Sequence, residues 1–119
     1  MAKTCIIYDR TNLKAQDGAS RCVQRIDRCK TAVSAIGGDL VGVFEDVGVS
    51  GSEGAKAPAR DQLMQRIKAG DVDYVVVPDL ARLSRSVVTI MEITSEMKAS
   101  GAELLIAHEL LIADDLVRE

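Results

Sequence analysis

Four short apolar runs, separated by three segments of helical period, constrain this chain more than any other feature. The runs are residues 4–8 (Thr-Cys-Ile-Ile-Tyr), 40–44 (Leu-Val-Gly-Val-Phe), 73–78 (Asp-Tyr-Val-Val-Val-Pro) and 102–107 (Ala-Glu-Leu-Leu-Ile-Ala). Each is too short for a buried helix, and continuous rather than alternating apolarity suits strands covered on both faces. Between the first two runs, Ala19, Cys22, Val23, Ile26, Cys29, Ala32, Val33 and Ile36 recur at steps of three and four. That is an amphipathic helix, which Ser20 is placed to cap and Gly37-Gly38 to end. Its solvent face carries Arg21, Arg25, Arg28 and Lys30. Pro58 suits the first turn of a second helix with Leu63, Met64 and Ile67 as its stripe. A third helix spans residues 87–100, with Val88, Met91, Ile93, Thr94 and Met97 toward the core.

The order β-α-β-α-β-α-β predicts an α/β domain of three layers: a mainly parallel sheet of four to five strands with helices on both faces. All 119 residues fit one domain. Ligands in such sheets gather at the carboxyl ends of the strands. The loops 9–20, 46–56 and 79–86 are therefore expected to share one rim.

Composition removes several function classes. Apolar residues at 47% exclude a disordered chain. No apolar run approaches the roughly 20 residues of a membrane-spanning helix, and the N-terminal apolar stretch is too brief for a signal peptide. The expected location is the cytoplasm, with no membrane partner. Three cysteines without a CxxC pair, and one histidine, make no zinc site. Three aromatic residues, Tyr8, Phe44 and Tyr74, provide no stacking platform for single strands. The formal charge of −3 is unlike that of an ordinary DNA-binding domain. It conceals an asymmetry, however. Residues 1–88 carry 13 Lys/Arg against 11 Asp/Glu, and residues 89–119 carry 2 against 7. An anion would be met by the first part of the chain.

The rim collects Arg10, Lys14, Lys56, Arg60, Arg82 and Arg85. These are either scattered solvated charges or a phosphate site, since guanidinium forks match phosphate oxygens. Neither GxGxxG nor GxxxxGK[ST] occurs, so no nucleotide cofactor is expected. Asp9, Asp46 and Asp79 each follow a strand, as phosphoacceptor carboxylates do. The later strand, though, is followed by His108-Glu109 where such a site needs lysine.

The motifs in order are more specific. Tyr8-Asp9-Arg10-Thr11-Asn12 resembles the Tyr-x-Arg-x-Ser motif of the serine recombinases: resolvases, invertases and large serine integrases. Ser20-x-x-x-Gln24 resembles the start of that family's first helix, and Phe44-Glu45-Asp46-x-x-x-Ser50-Gly51 its strand-end aspartate and Ser-Gly loop. Asp79-Leu80-Ala81-Arg82-Leu83-Ser84-Arg85 resembles its Arg-x-x-Arg signature. The resemblance covers about residues 4–110. It implies a resolvase-like fold and site-specific DNA recombination. In that chemistry a serine hydroxyl attacks a DNA phosphodiester, arginines stabilise the pentacoordinate transition state, and no metal or nucleotide is used. By position, Arg10, Arg82 and Arg85 match phosphate-binding arginines, Gln24 a polar site residue and Asp46 an acidic one. Tyr8, Lys56, Arg60 and Arg66 are further phosphate- or DNA-binding candidates. The implied partners are duplex DNA and other recombinase subunits, identical or not.

Two departures bear on that chemistry. Asn12 occupies the nucleophile position, and Ala57 stands where the family carries arginine before proline. A carboxamide forms no phosphoserine-like ester, so the expected domain does not cleave DNA. Among other hydroxyls, Thr11 points to the opposite face of an extended segment, Ser20 caps a helix, and Ser50 and Ser52 lie on a displaced loop. The long dimer helix and the DNA-binding domain of the family are not expected within these residues, and the tail with Asp114, Asp115 and Glu119 is acidic. The alternatives are a non-catalytic partner of a recombinase and an α/β domain that binds a small phosphate compound.

Overall fold

The computed structural model describes residues 2–12, 15–52, 54 and 56–109, without the side chains of residues 15–22. Lys14 and the acidic tail therefore lie outside the described residues, as do the side chains of Ala19, Ser20, Arg21 and Cys22. The elements run β1 (Thr4–Thr11), α1 (Ala15–Ala35), β2 (Asp39–Val47), α2 (Pro58–Lys68), β3 (Tyr74–Val77), a single turn α3 (Leu80–Leu83), α4 (Val87–Ala99) and β4 (Glu103–Ile106). Every strand pair is parallel, in the order β2-β1-β3-β4. The expected three-layer α/β fold is present, with four strands among the described residues.

β1 lies between β2 and β3 and is apolar from Cys5 to Tyr8 because neither face meets water there. Alternation divides it. Ile6 and Tyr8 pack with Leu63 and Ile67 of α2, Val75 and Val77 of β3, and Ile93 and Met97 of α4. Cys5 and Ile7 pack on the other side with Ile26, Cys29, Ala32 and Val33 of α1. Cys5 and Cys29 are free, buried thiols. Burial, then the charges of Asp9 and Asp79, push the Cys29 thiol up to about 12.

Several expectations need correction. β1 runs through Thr11, because Arg10 and Thr11 pair with Asp46 and Val47 of an equally extended β2. Backbone pairing continues a strand past the point where its side chains turn polar. α1 begins at Ala15, so Ser20 lies within it and is no cap. Val23 is exposed, as are Val88 and Met91 on α4, where the buried side is Ile93 and Met97 with Thr94 at its margin. These three apolar residues fall on the helical period but outside the narrow arc that the sheet covers. α1 does stop ahead of Gly37, whose φ of +66° is a left-handed turn that glycine adopts without strain.

Candidate functional site

The carboxyl end of β1 is where the chain places its buried charge. Asp9, Arg10 and Thr11 are each 1% exposed. Alternation sends Asp9 toward α1 and Arg10 to the side of Tyr8. Asn12 follows at a bend, exposed, with the parity of Arg10.

Arg10 donates from Nη1 to the Val49 carbonyl (3.0 Å) and from Nη2 to the Ala81 carbonyl (2.6 Å). Arg82 donates from Nη1 to the Arg10 carbonyl (3.2 Å), and its Nε stands 3.7 Å from the Asp79 carboxylate. Asp79 also caps α3, accepting the Arg82 amide. Arg85 is exposed, and its amide donates to the Gly51 carbonyl (2.8 Å), which also accepts the Ser84 hydroxyl (3.3 Å). Arg10 is close to both of the others: after burial, the charges of Arg82 and Arg85 are the largest causes lowering its pKa. Beside them lies a shallow groove of about 470 Å³, lined by Ser50, Ser52, Arg85, Ser86, Val87 and Val88. The Ser50 and Ser52 hydroxyls are hydrogen-bonded to each other at 2.7 Å.

Asp46 serves a different end. Its Oδ2 accepts the Tyr8 hydroxyl (2.7 Å) and the Arg60 amide (3.0 Å), and its Oδ1 accepts the Ala59 amide (2.9 Å). The residue at the N-cap of α2 is Ala57, which has no side-chain acceptor, and Pro58 brings no amide hydrogen. Asp46 thus caps α2 from a neighbouring strand and fixes where that helix begins. Burial, followed by the bond to Asp46, raises the pKa of Tyr8. The side chain of Arg60 reaches the Leu83 carbonyl at 3.2 Å, which ties α2 to the turn carrying Arg82.

The remaining sequence candidates are dispersed. Gln24 is exposed on α1, across the sheet from Arg10. Lys56 is exposed on the rim loop. Arg66 lies in the last turn of α2, 3.5 Å from Asp71 in a surface ion pair. Asp9, Asp46 and Asp79 point to three different partners. Among the described residues, no group of three or more His, Cys, Asp or Glu is arranged to hold a metal. No described helix is long and apolar enough to cross a membrane.

One residue of this region was misassigned from the sequence. Arg25 does not belong to the solvent face of α1. It forms a bidentate pair with Asp9 (2.9 and 2.8 Å), where Arg25 is 12% exposed and Asp9 1%. The available signal was the parity of Asp9, which faces the helix once the segment is read as a strand through residue 11. Without the partner in view, an arginine on a helix reads as solvated.

Comparison with known proteins agrees with this fold. The family model for the resolvase N-terminal domain matches residues 5–116. The fold is similar to that of the N-terminal catalytic domain of TP901-1 integrase (TM-score 0.80, 23% identity, 98% of this chain and 97% of that one). It is also similar to a resolvase family site-specific recombinase from Streptococcus pneumoniae (TM-score 0.78, 21% identity, 98% and 88%). A third likeness is the C-terminal catalytic domain of ISC1926 TnpA, an IS607-like serine recombinase (TM-score 0.78, 20% identity, 96% and 78%). No curated protein sequence matches. With the family model spanning nearly the whole chain, the chain belongs to the resolvase N-terminal domain family, the catalytic-domain family of the serine recombinases.

Proposed function

We propose that this is a serine-recombinase domain that engages the sugar-phosphate backbone of duplex DNA and, as it stands, does not cut it. The observation that supports this most is the convergence of Arg10, Arg82 and Arg85 at the end of β1 beside Asn12. The arginines supply a concentrated positive charge of the kind that holds a phosphodiester. The nitrogen lone pair of the Asn12 carboxamide is delocalised into its carbonyl, so it forms no phosphoester with the scissile phosphorus. Ala57, buried at the start of α2, leaves out a further cation. The reading requires no cofactor. In it, residues 1–119 act as one cytoplasmic domain that assembles with itself or with another recombinase subunit.

A second reading, a non-catalytic binding partner of a recombinase, is favoured by the exposed apolar side chains Leu80, Val87, Val88 and Met91, of which Val87 and Val88 line the groove beside Arg85. The basic face of α1 is a further contact surface in this reading; Arg25 is drawn from it to Asp9, which leaves Arg28 and Lys30 among its described residues.

The test is fluorescence anisotropy of the chain with a random duplex across a salt series, with denaturing gels of the same mixtures. Affinity is expected to fall steeply with salt, with no covalent adduct. Absence of binding even at low salt refutes the DNA reading and leaves the partner-protein reading. An adduct formed by the unaltered chain refutes the loss of cleavage.

A further inference from the structure

The turn between α3 and α4 carries Arg85, and few bonds decide its course. α3 is a single turn, and Ser84 leaves it in an extended conformation (φ −170°, ψ 158°). Arg85 follows, exposed. Its amide and the Ser84 hydroxyl both donate to the Gly51 carbonyl, which holds the turn to the loop after β2. A second hold comes from α2, where Nη1 of Arg60 donates to the Leu83 carbonyl at 3.2 Å. The last carbonyls of a helix lack an intrahelical donor, and a cationic side chain can supply one. Leu83 is 0% exposed, so water does not take that place. Arg60 is therefore the C-terminal cap of α3.

Arg60 is itself fixed at both ends. Its amide, in the first turn of α2, donates to Asp46 Oδ2 at 3.0 Å. Its side chain is half-buried and lines a groove of about 290 Å³ between α2 and α4, with Met64, Glu92, Ile93 and Glu96. Apolar and acidic side chains together suit the methylene stem and the charge of an arginine. Arg85 lines the other groove, with Ser50 and Ser52. Two caps thus follow one another. Asp46 sets where α2 begins, α2 places Arg60, and Arg60 holds the carbonyl two residues before Arg85.

We propose that Arg60 is a positioning residue for Arg85: by capping the Leu83 carbonyl it fixes where the turn between α3 and α4 presents the Arg85 guanidinium to a DNA phosphate. The functional half of this statement rests on the DNA reading above; the cap itself does not.

Three measurements test it. The first uses the unaltered chain, so it does not depend on any variant folding. By NMR the Arg60 guanidinium is expected to show separate Nη resonances, because the bond to Leu83 hinders rotation about Cζ–Nη; a single averaged resonance overturns the cap. The second is amide hydrogen exchange in Arg60→Met, which keeps a stem and removes the donor, and in Arg60→Lys, which restores a donor. Both keep the backbone amide that Asp46 accepts. In Arg60→Met, protection of the Ser84 and Arg85 amides is expected to fall about tenfold while β1 and β3 keep theirs. Arg60→Lys is expected to recover part of that loss. Unchanged protection in Arg60→Met overturns the cap. The third is duplex affinity in a double-mutant cycle. Arg60→Met is expected to weaken binding severalfold in the otherwise unaltered chain, and by less than about twofold in the Arg85→Gln background. An equal loss in both backgrounds makes Arg60 an independent contact or a merely structural residue, and overturns the positioning role. No loss in either background overturns it as well. If the unaltered chain binds no duplex, the DNA reading fails alone, and NMR and exchange still decide the cap.

Discussion

Asp46→Ala removes one carboxylate on which a strand, a helix start and a buried phenol all depend. In the folded chain that group accepts from the Tyr8 hydroxyl and from the Ala59 and Arg60 amides. Alanine leaves a fully buried hydroxyl and two helix N-terminal amides without that acceptor. Loss of a helix cap costs about 1 kcal/mol. An unsatisfied buried hydroxyl adds about 1–3 kcal/mol. The two together amount to about 3 kcal/mol, since the amides at the start of α2 lie close enough to solvent to recover part of their loss from water. For 119 residues the unfolding entropy is roughly 0.25 kcal/mol/K, so Tm is expected to drop by about 12 °C. Circular dichroism during thermal and urea unfolding measures this directly, and the urea m-value is expected to stay constant. Tyr8→Phe removes the stranded hydroxyl. In the Asp46→Ala background it is expected to recover stability, with a coupling of about 1 kcal/mol in the double-mutant cycle. A loss below about 1 kcal/mol for Asp46→Ala, or strict additivity with Tyr8→Phe, refutes the assignment of Asp46 as the cap of α2.

Three further outcomes follow from other parts of the molecule. Arg25→Met leaves the Asp9 carboxylate, 1% exposed, without its bidentate partner; the expected cost is about 3–5 kcal/mol, read by urea unfolding, and a cost under 1 kcal/mol would place the pair among ordinary surface bridges. Cys29 has its folded pKa pushed from 9.0 up to about 12, so the stability that its neutral thiol contributes is fully present below pH 9 and is lost as pH rises from there toward 12; Cys29→Ala is expected to flatten the alkaline limb of the stability–pH curve, and an unchanged limb refutes the assignment. Asn12→Ser with Ala57→Arg, joined to a DNA-binding domain with a known site, is expected to give a covalent protein–DNA adduct on denaturing gels where the parent gives none; absence of an adduct means that cleavage needs more than these two residues.

Much of the fold was legible because it depends on local sequence. Strand runs of four to six apolar residues and helices of period 3.6 need no distant partner to be recognised, and their alternation leaves few topologies. Errors arose where a boundary depended on pairing. Asp9, Arg10 and Thr11 look like loop residues in the sequence, but the β1–β2 ladder keeps them extended. The burial arc of α4 was drawn too wide, since the helical period does not say how much of a helix the sheet covers. The site was legible in part for a related reason. Tyr8, Arg10, Asp46, Arg82 and Arg85 stand at strand ends that a parallel sheet brings to one rim. Arg66 was equally eligible by motif and, from the last turn of α2, pairs with Asp71.

By itself the sequence determined the α/β class and the rim where charge collects. These are matters of residue identity and short-range period. Only the tertiary structure decided what each charged group does: that Asp46 caps a helix it does not belong to, that Arg25 is paired beneath α1, and that Arg10 is held between α3 and the loop after β2, against Gly51. The physical reason is that a side chain's role is set by the donors and acceptors within about 3 Å of it and by the water it has lost. Those neighbours come from segments tens of residues away, so no local reading of the chain contains them.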